Sequence, residues 1–218
     1  MSRGTRRSYH SPLRRGQAEE TRRRIFEAAA ATFVARGFSG TTMREVAVEA
    51  DVSVERVFQE GSKAHLLVQA FRLRYTGEYD WDSILGNQWA QDMFAVNDPQ
   101  QGLEMSVEFC ASAHARSADL WMILRAVALS EPTVAEEMDR LLAFKRESWL
   151  QSVRWLTGLG IITVDDPDRL PAVAAVANVM CSAETYVQLR TDWQMSDLDY
   201  RDWLRHATTK FADLTPGA

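Results

Sequence analysis

Residues 37–67 read GFSGTTMREVAVEADVSVERVFQEGSKAHLL, and this short stretch contains several helix boundaries. Thr42 followed by Glu45 is a capping box, in which a hydroxyl and a carboxylate satisfy free backbone amides at a helix start. It predicts a helix over 43–50. Ser53 is a second N-cap residue and predicts a short helix over 54–59. Gly61, Ser62 and Lys63 then punctuate the chain, and Ala64, Leu67, Val68 and Phe71 open a longer amphipathic helix toward Tyr75. Upstream, Ile25, Ala28, Ala29, Thr32 and Phe33 recur at helical spacing from about Gln17, and the pattern stops at the capping residue Gly37. Three short helices with a tight turn between the second and third describe a helix-turn-helix.

Outward from this stretch the pattern stays helical. The pairs Asp98-Pro99, Glu131-Pro132, Asp166-Pro167 and Ser196-Asp197, together with Gly158-Leu159-Gly160, divide the remainder into segments of ordinary helix length. Only residues 161–164 hint at strand alternation, too short to found a sheet. The expected fold class is all-α, with a basic arm over 1–16, a helix-turn-helix domain over 17–63 and a larger helical domain over 64–218. With 218 residues, 46% hydrophobic and 25% charged, the chain suits a small domain fused to a larger one. Cys110 and Cys181 lie far apart in sequence, without the paired spacing of a metal site or a disulfide framework. No apolar run reads as a membrane span and no signal segment follows the basic N-terminus, so a cytoplasmic protein without membrane contact is expected.

The charge is unevenly distributed. Residues 1–24 carry eight arginines against Glu19 and Glu20, while the whole chain is at −5. A basic arm on an acidic body is the asymmetry expected where one end meets a polyanion, although solvated basic tails are also common.

The 37–67 stretch resembles the N-terminal signature of the tetracycline-repressor (TetR-like) family of regulators. The likeness runs through Gly37-Phe38, Thr41-Thr42, Val46-Ala47, Ala50, Val52-Ser53, Val57-Phe58, Ser62-Lys63 and Leu66-Leu67. It implies a regulator that binds double-stranded DNA, with Thr42, Ser62 and Lys63 holding phosphates. Ser53, Val54, Glu55, Arg56, Phe58 and Gln59 would form the reading helix and its start, Arg56 suiting guanine and Gln59 adenine. Two departures stand out. Phe58 occupies a position where the family usually carries tyrosine, and the chain is one residue short between Phe58 and Ser62. Residues 25–63 also hold four basic side chains against six acidic ones. Arg3, Arg6, Arg7, Arg14 and Arg15 are therefore candidates to supply the missing charge from a minor groove.

Residues 120–146, LWMILRAVALSEPTVAEEMDRLLAFKR, and the later stretch SAETYVQLRTDWQMSDLDYRDWL also resemble the family's sensor domain. The resemblance implies a homodimer formed by helices over 171–190 and 197–214. Large adaptable side chains crowd this region, and they suit either a plain core or an apolar cavity for a small effector. Trp89, Met93, Phe109, Trp121 and Trp149 are the candidate walls, with His114, Arg125, Asn178, Cys181 and Glu184 as polar guides. Asn178 suits a hydrogen bond across a dimer interface equally well. No catalytic motif, metal-ligand spacing or cofactor fingerprint is present, so neither an enzyme nor a cofactor is expected. A repressor released by a small apolar molecule is the leading expectation. The rival is a helical binding or interaction protein with a degenerate DNA reader.

Overall fold

The computed structural model describes residues 12–79 and 88–214, all of them helical or irregular, with no strand among the described residues. Ten α-helices follow in order: α1 Pro12–Gly40, α2 Met43–Glu49, α3 Val54–Gln59, α4 Lys63–Thr76, α5 Gln88–Phe94, α6 Pro99–Val127, α7 Pro132–Gly158, α8 Leu170–Met180, α9 Ala183–Val187 and α10 Asp197–Thr208. Residues 161–164 lie outside any regular element.

The helix starts follow local chemistry. At α2 the capping box is complete: Glu45 N–H donates to Thr42 Oγ1 at 3.2 Å, and Thr42 N–H donates to Glu45 Oε2 at 2.8 Å. Ser53 caps α3 by accepting from Arg56 N–H at 3.2 Å, and Ser62 caps α4 by accepting from His65 N–H at 3.1 Å. Between α2 and α3 the turn passes through Asp51 at φ 52°, a left-handed conformation that aspartate tolerates better than bulky residues do. Gly37, at φ 68° and ψ 177°, breaks the regular geometry of α1 where the sequence places its end.

Three boundaries differ from the sequence expectation. Helix one begins at Pro12 rather than near Gln17, since a proline at the first turn forfeits an amide that would be unpaired anyway. The expected helix over 171–190 is broken at Cys181 (φ −98°, ψ 39°), where the Ser182 hydroxyl caps a new start by accepting from Thr185 N–H at 3.0 Å. A π turn over Gln188–Asp192 then follows α9. The helix expected over 197–214 ends as α10 at Thr208 and continues in turns. By length and composition Pro167–Asp192 could cross a membrane, contrary to the sequence reading. Its longest unbroken helix is the 11-residue α8, about 16 Å at 1.5 Å per residue against a hydrocarbon core of about 30 Å.

Two apolar clusters hold the chain together. The first packs Ile25, Phe26 and Phe33 of α1, Val46 and Ala47 of α2 and Val57 of α3 against Leu66, Leu67 and Phe71 of α4. It continues without interruption to Trp121 and Leu124 of α6 and Met138 and Leu141 of α7. The second joins Val107 and Cys110 of α6, Val153 and Leu156 of α7, Val173 and Ala177 of α8, and Tyr200 and Leu204 of α10. Helix α4 thus belongs to the core of both halves.

The turn at Asp51 gives a direct test. Asp51→Val should lower the free energy of unfolding by about 1–2 kcal/mol, because a β-branched side chain resists positive φ, and Asp51→Gly should leave it equal or raise it. Urea unfolding of the three proteins measures both.

Candidate DNA-reading surface and ligand cavity

On α3 the side chains of Glu55, Phe58 and Gln59 are exposed, Val54 is half-buried, and Val57 turns into the core. Phe58 is 61% exposed, so the position that lacks a hydroxyl still faces solvent. Thr42 and Ser62 are also exposed, each with its hydroxyl engaged in capping. Arg56, assigned to base reading from sequence, forms an ion pair with Glu60 one turn on. Glu60 also accepts from Arg22 Nε of α1 at 2.9 Å, and its side chain is only 7% exposed. One carboxylate therefore binds the end of α3 to α1.

Lys63 is turned inward. Its ammonium group donates to the carbonyls of Phe38 at 2.9 Å and Thr41 at 3.1 Å, and lies 4.2 Å from the centre of the Phe38 ring. The shortened turn before it passes through Gly61 at φ 129°, where an added Cβ would come within 2.9 Å of the His65 ring. Glycine thus closes the turn whose shortening the sequence shows. Arg44, on α2 and absent from the sequence candidates, is exposed with no hydrogen bond or ion pair among the described residues. Its position early in α2 beside the capping box was the available signal. Arg3, Arg6 and Arg7 lie outside the described residues, and Arg14 and Arg15 fall on the first turns of α1.

The second feature is an internal cavity at the seam between the two apolar clusters, with a volume of about 90 Å3. A single buried water needs roughly 10–15 Å3 on that measure, so the space is large enough for a small organic molecule. Seven sequence candidates line it: Trp89, Met93, Phe109, His114, Trp121, Trp149 and Cys181. The other three do not. Arg125 and Glu184 form a 3.4 Å ion pair with each other outside the lining, and Asn178 borders a second pocket between α7 and α8 that shares Lys145 and Trp149 with the first. Asn178 Oδ1 is buried there without a hydrogen-bond partner among the described residues.

Among the lining residues that sequence reading missed are Phe71 and Tyr75 of α4 and Lys145 of α7. Lys145 was legible in principle, standing four residues from both Leu141 and Trp149 on the apolar face of α7. Its ammonium lies 4.6 Å from the centre of the Trp121 ring, and burial depresses its pKa below the usual lysine range. His114 is 3% exposed and pushed down to about 3, first by burial and then by the Lys145 charge, so it is neutral at pH 7. The two cysteines, distant in sequence, meet here. A hydrogen bond between their thiols, followed by burial, pushes Cys181 well above the normal thiol range.

The capped tri-helical segment is a helix-turn-helix, joined through α4 to a larger helical body. Residues 25–70 match the family model described as bacterial regulatory proteins, tetR family. A proposed TetR-family transcriptional regulator from Mesorhizobium loti MAFF303099 superimposes with a TM-score of 0.66 at 16% identity, covering 91% of this chain and 98% of the other. A TetR-family member from Streptomyces coelicolor A3 gives 0.58 at 20% identity, with 86% and 98% covered. A proposed transcriptional regulator from Saccharomonospora viridis, in complex with choline, gives 0.61 at 16% identity, with 90% and 97% covered. No curated protein sequence matches the chain. Residues 25–70 thus carry the tetR-family match, and the chain as a whole shares the fold of these regulators.

His114 makes the fold sensitive to acid. Its folded pKa is about 3 against an ordinary 6.5, so below pH 6.5 the unfolded state binds the extra proton. Stability present above that value is lost progressively as pH falls toward 3. Between pH 6.5 and 5 the loss amounts to as much as about 2 kcal/mol. His114→Leu should remove most of this loss, measured as the difference in urea midpoint between pH 7 and pH 5. A difference equal to that of the unsubstituted protein would show that His114 is not the titrating group.

Proposed function

We propose that the protein is a cytoplasmic, ligand-responsive repressor that binds operator DNA as a homodimer and is released when a small, largely apolar molecule enters the cavity. The observation that carries this reading is the position of α4. Its first residue, Lys63, braces the reader, while Phe71, Tyr75 and Thr76 at its other end line the cavity. The helix has 14 residues, about 20 Å at 1.5 Å per residue, and one continuous core packs along it. A ligand that displaces Phe71 or Tyr75 moves a rigid lever whose far end sets the reader. Dimeric helix-turn-helix proteins hold their reading helices about 34–36 Å apart, so a small change in that spacing prevents both from engaging.

The dimer is supported by α8, whose outward positions Pro171, Ala172, Ala175 and Val179 are exposed and apolar or small. Trp193 and Leu198 add large exposed apolar surface just beyond, at 79% and 69% exposure. On DNA, Gln59 and Glu55 face outward for base contact, with Ser53, Val54 and Phe58 around them and Thr42 and Ser62 beside the phosphates. Arg44 and the arginine arm, Arg3 to Arg15, supply positive charge that the reader otherwise lacks.

The arm and the coupling are separately testable. Deleting residues 2–16 should flatten the dependence of log affinity on log salt by about 0.9 for each phosphate that the arm had neutralised. An unchanged slope in fluorescence anisotropy would make the arm a passive tail. For coupling, DNA flanking the protein's own gene should be retarded in a gel, and a ligand that releases it must bind the DNA complex more weakly by the same factor. Equal ligand affinity for free and DNA-bound protein would overturn the mechanism, and failure to retard any such DNA would favour a protein whose reader has degenerated.

A further inference from the structure

The charges of the cavity are unbalanced in one direction. Among the described residues no aspartate or glutamate lines it, whereas the side chain of Lys145 brings a cation to the wall. Trp121 is 3% exposed, and its indole Nε1 is buried without a hydrogen-bond partner among the described residues, as is that of Trp89. An indole N–H can only donate. Ser148 and Ser152 donate their protons to the carbonyls of Phe144 and Ser148, which leaves their oxygens as neutral acceptors and supplies no counter-charge for Lys145. Glu184 is the carboxylate whose field reaches Lys145, but it stands outside the lining and is tied to Arg125 at 3.4 Å. Unpaired buried donors and a half-buried ammonium are costly unless an acceptor, best an anionic one, joins them.

We infer that the molecule this cavity takes is a small aryl or alkyl carboxylic acid, its carboxylate bound by Lys145 Nζ and Trp121 Nε1 and its apolar body held among the aromatic walls. The inference rests on reading the cavity as the effector site, and it narrows the class of effector. Aromatic walls by themselves would also suit a quaternary ammonium ion through cation–π attraction. Here the protein's own ammonium already occupies the face of Trp121, and a second cation would meet like charge with no carboxylate in the lining among the described residues to offset it. Neutral His114, whose buried Nδ1 has no partner among the described residues, can turn either a donor or an acceptor to the ligand without adding charge.

The test uses the full chain and three series of equal shape, measured by isothermal titration calorimetry. Benzoate, phenylacetate and phenylbutyrate are compared with their amides, and phenylbutyltrimethylammonium serves as the cation. At least one acid should bind about tenfold or more tightly than its own amide, the size expected for a hydrogen-bonded charge. Lys145→Met should weaken the acid far more than the amide, so that the preference between them disappears, and Lys145→Arg should restore part of it. Trp121→Phe, which removes the N–H and keeps an aromatic ring, should weaken the acid several-fold more than the amide. Circular dichroism of each variant confirms folding. Equal affinity for acid and amide, tighter binding of the ammonium compound, a preference that survives Lys145→Met, or no binding by any acid at millimolar concentration each overturns the inference. Lys145-dependent acid binding that leaves DNA affinity unaltered would keep the ligand class and defeat the coupling. DNA release by neutral molecules alone would do the reverse.

Discussion

The ammonium group of Lys63 joins three segments on which the rest of the molecule depends. It sits at the end of the first helix, where unpaired carbonyls concentrate negative charge, and donates to Phe38 and Thr41 while lying against the Phe38 ring. Hydrogen bonds of this charged kind contribute about 1.5–3 kcal/mol each, more than an exposed ion pair does. Because Lys63 is also the first residue of α4, the same contacts fix that helix to the turn preceding α2. A shorter turn is tolerable when its far end is held this firmly. Glu60 reinforces the joint from the other side, taking Arg22 of the first helix and Arg56 of the third.

This arrangement trades reading capacity for rigidity. Arg56 and Lys63 are the natural basic contacts of the 37–67 stretch, and both are engaged within the protein. Gln59, Glu55 and Arg44 remain on the outer surface, a sparse positive complement for a phosphate backbone. A basic N-terminus, with five arginines before Gly16, is therefore chemically appropriate to this particular reader.

The cavity lies where the two apolar clusters fail to merge. Phe71, Trp121 and Leu141 face it from one side and Cys110, Leu156, Cys181 and Phe211 from the other. Bulky rings explain the gap: Trp89 stacks on Phe109 at 4.0 Å, and Tyr75 meets Phe109 edge-on at 5.5 Å. Flat rigid side chains fixed by one another pack less readily into an irregular space than branched aliphatic ones. The break after α8 matters for the same reason, since it brings Cys181 and Ala183 to the wall.

The sequence by itself determined the helices of the reader, because caps and turns act over three or four residues. Thr42 with Glu45, Ser53 and Ser62 each start a helix through a hydrogen bond to a near neighbour, so their meaning is local and legible. Of the ten side chains singled out from the sequence, seven line the cavity, the aromatic ones because large rings at helical spacing must face something apolar. Tertiary structure alone decided which of them share a space. Arg125 and Glu184 are equally plausible guides in sequence, yet they neutralise each other outside the wall. Lys145, though its spacing sets it on the apolar face of α7, finds its partner only when α6 places Trp121 beneath it. The role of Lys63 was likewise set by partners on other elements, the Phe38 and Thr41 carbonyls, whereas Arg56 pairs with Glu60 one turn on at the end of its own helix and only the tie of Glu60 to Arg22 is tertiary. A charged side chain carries no sequence mark of whether its partner will be a phosphate or its own backbone, because that choice depends on which groups the folded core brings within 3 Å or so.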